Sequence, residues 1–156
     1  MTESLIDVCD AIRTVVLEPV PNGVVLDDTC AEPFFYEHNT LYVWASQGDD
    51  HRQSGDGMQD EERFMIRAAY ALSDDGERAS KLRQRAISQA LDAKAHVYVE
   101  RIRSYRTYPD TDPPPNRLWG DISAVVDHNS IRTVGTNAVR GFTITIRGWR
   151  MVGGGT

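Results

Sequence analysis

Leu5, Val8, Cys9, Ile12, Val15 and Val16 recur at steps of three and four, the spacing that gathers apolar side chains on one helical face. This predicts a helix over residues 3–16. Ser4 or Thr2 is placed to cap it, with acidic residues in the first turn. Pro19 and Pro21 end it, because the residue before a proline is pushed out of helical geometry. Asn22-Gly23 then signals a turn, and Val24-Val25-Leu26 is a short apolar piece. From Thr40 to Ala45 the period changes to two. Leu41, Val43 and Ala45 alternate with Tyr42 and Trp44, so this predicted strand carries sizeable groups on both faces.

Residues 46–60 lack any apolar period and read as a long polar loop, the tip of an extended hairpin. Over 61–72 the pattern is mixed. Phe64, Ile66, Ala68, Tyr70 and Leu72 alternate as on a strand, while Glu61, Glu62, Met65 and the alanines suit a helix. Strand is preferred, since Asp74-Asp75-Gly76 supplies the following turn.

Residues 77–106 form the longest periodic segment. Ile87, Leu91, Ala95, Tyr98, Ile102 and Tyr105 make one stripe. Leu82, Ala86, Ala90, Ala93 and Val97 make a second, displaced by roughly 140° at about 100° per residue. One stripe suffices to cover a sheet, so the second is assigned to the first helix or to a neighbouring subunit. At about 1.5 Å per residue such a helix reaches some 45 Å, and a break near Ser80 or Asp92 is allowed for. Pro109, Pro113, Pro114 and Pro115 stiffen the connector that follows. Leu118 to Val126 and Arg140 to Val152 are the last strands, joined by a polar, turn-rich stretch from Asp127 through Asn137.

The order is helix, hairpin, helix, hairpin. It predicts an α+β domain of two layers, with a mostly antiparallel sheet of about four strands packed on an N-terminal helix and one long central helix. A single domain over 1–152 is expected, with a disordered glycine-rich tail at 153–156.

Composition narrows the function classes. The 156 residues carry a net charge of −6, which argues against affinity built on phosphate contacts. No apolar run approaches the roughly 18 residues of a membrane span, and Met1-Thr2-Glu3-Ser4 lacks the look of a signal peptide, so a cytosolic protein is expected. Cys9 and Cys30 are then expected as free thiols.

Candidate chemistry is sparse. His38, His51, His96 and His128 are far apart and make no close ligand pair. Asp49, Asp50, Asp56, Asp60, Glu61 and Glu62 lack the ligand spacing of a calcium loop. The glycines at 48, 55 and 57 are not followed by the Lys-Ser or Lys-Thr of a phosphate cradle, and no serine sits in a Gly-x-Ser-x-Gly elbow. No catalytic, cofactor or metal residues are therefore expected. The candidates are interface residues instead: Trp44, Leu82, Ala86, Ala90, Ala93, Val97 and Trp149.

Over about residues 40–152 the chain resembles the tail terminator proteins of phages with long non-contractile tails, in particular those of actinobacteria. The resemblance is carried by Arg63-Phe64-Met65-Ile66-Arg67-Ala68-Ala69-Tyr70, Ser88-Gln89-Ala90-Leu91-Asp92-Ala93-Lys94-Ala95, Leu118-Trp119-Gly120-Asp121, and Arg140-Gly141-Phe142 with Ile144, Ile146 and Gly148-Trp149-Arg150. It implies a structural virion protein of the neck, made in the host cytoplasm. It also implies a ring, usually of six subunits, that caps the tail tube and meets the head-completion protein while DNA passes through the lumen. Asp49, Asp50 and Asp56 are assigned to that lumen or an end face. Alternatives are a head-completion or tube subunit, and a small ligand-binding or enzymatic α+β domain.

Overall fold

The computed structural model describes residues 4–18, 23–53, 60–73, 81–106, 119–133 and 139–152. In chain order the elements are α1 (Leu5–Ala11), continued by a π-helical stretch Ile12–Leu17, β1 (Val25–Leu26), β2 (Thr40–Gln53), β3 (Asp60–Ser73), α2 (Lys81–Ser104), β4 (Asp121–Thr133) and β5 (Val139–Val152). The α+β, two-layer architecture is as expected. Among the described residues the sheet has five strands rather than four, in the order β1-β2-β3-β5-β4. The extra strand is the short Val25–Leu26 piece, which pairs in parallel with Thr40 and Leu41. All other pairings are antiparallel. Because β5 inserts between β3 and β4, the crossover through α2 is split.

Ser4 caps α1 in a capping box with Asp7. The helix ends at Leu17, and Glu18, which precedes Pro19, is extended (φ −90, ψ 142). Arg101 of α2 holds this end: its Nε donates to the Val16 carbonyl at 2.6 Å, and its Nη2 to the Glu18 carbonyl. Pro19, Pro21, the proline connector and the glycine tail lie outside the described residues.

Strand lengths depart from expectation. The polar run 46–53 continues β2, with register shifts between Ala45 and Gln47 and between Gln47 and Asp50. Residues 127–133 likewise continue β4, around a bulge between Asp127 and Ile131. The cause is tertiary. β3 pairs with β5 over its whole length, from Asp60–Val152 to Ser73–Val139, and the backbone groups of this central pair recruit partners on both sides whatever side chains those carry. α2 runs unbroken through Asp92, about 36 Å long at the usual helical rise. Ser80, the other allowed break, lies outside the described residues.

Both helices pack on one face of the sheet. Ile87, Leu91, Ala95, Tyr98 and Ile102 meet Val8, Ile12, Leu41, Val43, Phe64, Ile66, Tyr70, Phe142, Ile144 and Ile146 in the main core. Trp119 is fully buried at the end of α2 and donates from Nε1 to the Tyr105 carbonyl at 2.9 Å. Trp149 lies across Gly120: a Cβ there would stand 2.3 Å from the indole, so any larger residue must displace the ring. Glu62 and Arg150 form a buried pair at 3.1 Å. Trp119, Gly120, Trp149 and Arg150, all among the residues that carry the family resemblance, are thus occupied with holding the fold.

Candidate assembly surfaces

The first surface is the outer side of α2. Leu82, Ala86, Ala90, Ala93 and Val97 are all exposed, Leu82 at 79% and Val97 at 42%. The five fall on the side of the helix away from the sheet and from α1, so within the protomer this stripe is open. Of the two assignments made from sequence, contact with α1 is therefore corrected.

The second surface is the sheet face opposite the helices. Its upper part is a small core of its own, formed by Tyr42, Trp44, Ala69, Ala71, Ile131 and Val139, with half-buried Tyr36 packed against it. The Tyr36 and Tyr42 rings meet edge to face at 5.8 Å. Trp44, expected at an interface, is only 6% exposed, which leaves it little area to offer a partner. Trp149 on the same face is half-buried over Gly120. Below Trp44 the face becomes basic. Arg63, Arg67 and Arg147 are exposed around Met65. In register, Arg67 lies opposite Thr145, Met65 opposite Arg147 and Arg63 opposite Trp149. No basic stripe is visible along the sequence, because it is assembled from two strands. The signal lay in the alternation, since arginines at 63, 67 and 147 fall out of phase with Phe64, Ile66, Ile144 and Ile146.

The acidic candidates separate. Asp49 and Asp50 lie on β2, Asp50 opposite Arg63 in the ladder, and Asp56 lies outside the described residues.

Several titratable side chains are engaged structurally. His38 Nδ1 accepts from the Ser73 amide at 2.8 Å. His128 lies 3.3 Å from Asp92, both well exposed. His96 is exposed on α2. Cys9 and Cys30 are free thiols, and burial first, then the neighbouring Cys30, pushes the Cys9 thiol well above its usual value. Burial raises Tyr70 to about 12 and Tyr98 further. The Arg106 guanidinium, bonded to Asp121 at 2.7 Å and 3.2 Å, holds that carboxyl below its usual range. Among the described residues no group of three or more His, Cys, Asp or Glu could hold a metal ion, and no helix is long and apolar enough to cross a membrane.

No family model matches the chain, and no curated protein matches it significantly in sequence.

Proposed function

We propose that the chain is a structural assembly protein that forms a closed ring, as a tail terminator does, usually with six copies. The ring caps a phage tail tube at the neck of the virion and offers its other side to a head-completion protein. The observation that carries this reading is the set of large apolar side chains left exposed in separate places: Leu82 and Val97 on α2, Phe34 and Phe35 before β2, and Val125 on β4. Scattered single apolar residues are ordinary, but a helix stripe open along its length and two adjacent exposed phenylalanines have more the character of contact surfaces.

Capping is geometric and needs no bond chemistry. A ring closed through two different patches per subunit hides the edge at which tube subunits add and presents a different face outward. The genome passes through the lumen. Asp49, Asp50 and Asp56 are assigned to the lumen or an end face, where carboxylates repel phosphates at close range.

The test is tube growth. Purified chain added to polymerising tail tube subunits should arrest elongation and sit at one tube end in electron micrographs. Tubes that grow at the same rate and to the same lengths with the chain present contradict the proposal.

A further inference from the structure

Residues 27–39 carry Asp27, Asp28, Glu32 and Glu37 and no lysine or arginine. The segment crosses from one side of the sheet to the other. Cys30 packs into the helix-side core, and Tyr36 packs onto the opposite face. Between these anchors Phe34 is fully exposed and Phe35 largely so. The display is firmly held: the Asp27 amide donates to the Leu41 carbonyl at 2.9 Å, the Asn39 amide to the Ala71 carbonyl at 2.8 Å, and the Glu37 amide to the Tyr42 hydroxyl at 3.1 Å. A presentation fixed in this way loses little freedom on binding.

The complementary surface is the lower sheet face. Arg67 and Arg147 are diagonal neighbours across β3 and β5, about 7–8 Å apart at their Cβ atoms. Half-buried Met65 lies beside them and exposed Val125 stands on the next strand but one, giving apolar ground among the cations.

We infer that the acidic Phe34–Phe35 segment of one copy docks on the Arg67–Arg147 face of a second copy of this chain. This rests on the reading of the chain as a self-assembling ring, and it names the two patches. The phenylalanine rings stack on guanidinium planes and cover Met65 and Val125, while Asp28, Glu32 and Glu37 pair with the arginines. Within one protomer the segment adjoins this face at Tyr36, whose phenol feels the charges of both Glu32 and Arg67, but Phe34 stays unshielded and, among the described residues, neither Arg67 nor Arg147 is in an ion pair. Two unlike patches on one chain make a heterologous interface, the kind that closes rings. Nucleic acid would also be drawn to the arginines, but it leaves the phenylalanines among carboxylates without a role.

Two double variants test this: a loop variant, Phe34→Ser with Phe35→Ser, and a face variant, Arg67→Glu with Arg147→Glu. All four positions are exposed, and thermal melting monitored by circular dichroism verifies folding. By light scattering, each variant alone should associate at least ten-fold more weakly than the unmodified chain. Mixed, they should form a 1:1 complex of two 17.5 kDa chains and grow no further, since each supplies one intact patch. As a readout independent of any variant, assembly of the unmodified chain should weaken between 0.1 and 1 M salt, where ion pairs at the surface are screened on the order of a 10 to 3 Å Debye length. Rings from both variants, or folded variants that fail to pair, overturn the inference and leave the ring reading standing with another interface. A face variant that assembles normally but no longer retains a short DNA duplex overturns it in favour of nucleic acid. An unmodified chain that is monomeric at every concentration overturns it too, whereas capping is then decided by the tube-growth assay.

Discussion

Tyr70 and Tyr98 are neighbours in the main core, with ring centroids 6.3 Å apart, and both pack on Phe142. Their hydroxyls have opposite fates. The Tyr70 hydroxyl donates to Asn39 Oδ1. The Tyr98 hydroxyl is buried, on a side chain 0% exposed, and has no hydrogen-bond partner among the described residues. A buried hydroxyl left unpaired costs about 1–3 kcal/mol, and a satisfied one contributes about 1 kcal/mol net. The same Tyr→Phe change should therefore have opposite signs at the two positions. Tyr98→Phe is expected to stabilise by about 1 kcal/mol, and Tyr70→Phe to destabilise by a similar amount. For a chain of this length each change moves the melting temperature by about 2–4 °C. Urea unfolding at fixed slope, with thermal melting alongside, measures both. The pH dependence adds a second arm. Burial raises both phenols above their ordinary 10.0, so the unfolded chain ionises first. The stability they contribute is complete below pH 10 and falls as pH rises beyond it, for Tyr70 towards about 12. Tyr98→Phe should flatten that alkaline loss. If Tyr98→Phe destabilises by as much as Tyr70→Phe and leaves the alkaline limb unchanged, the Tyr98 hydroxyl is satisfied in solution and does not stand unpaired.

Three further outcomes follow from the packing. Arg101→Met keeps the aliphatic stem but removes the donors to the Val16 and Glu18 carbonyls, and should cost about 2 kcal/mol, with amide exchange near Leu17 accelerated most. Gly120→Val drives a side chain into the Trp149 indole, so a loss of about 1–3 kcal/mol and a shifted tryptophan emission are expected; an unchanged spectrum and melting point refute that packing. Cys9, buried and with its thiol pKa raised, should resist alkylation at pH 8 in the native protein by at least ten-fold relative to the chain in urea, and equal rates would contradict its placement.

Much of the fold was legible because its period was strong. The stripe Ile87, Leu91, Ala95, Tyr98 and Ile102 fixed the buried side of α2, and the alternation of Phe64, Ile66, Ala68 and Tyr70 rightly outweighed the helix-favouring residues of 61–72. What was missed depends on pairing between distant strands. Ser46 to Gln53 and Asp127 to Thr133 show no apolar alternation, yet both extend strands because β3 and β5 present them a ladder edge. The surfaces were half legible. Counting faces identified the second stripe on α2 but left open whether α1 or a neighbouring subunit would meet it. The Arg67–Arg147 pair was not legible, since it joins residues 80 positions apart that only the β3–β5 register brings together. Trp44 misled because its size suggested an interface, while in the fold it is buried in the small core on which Tyr36, from a segment without a clear period, packs.

Ring closure is read from the solution mass of the purified protein by light scattering across concentration, with negative-stain images of the same sample. The expected result is a ring of about six copies whose mass stops rising once it has closed. Open tubes that lengthen with concentration, or a monomer throughout that also fails to cap tail tubes, would contradict it.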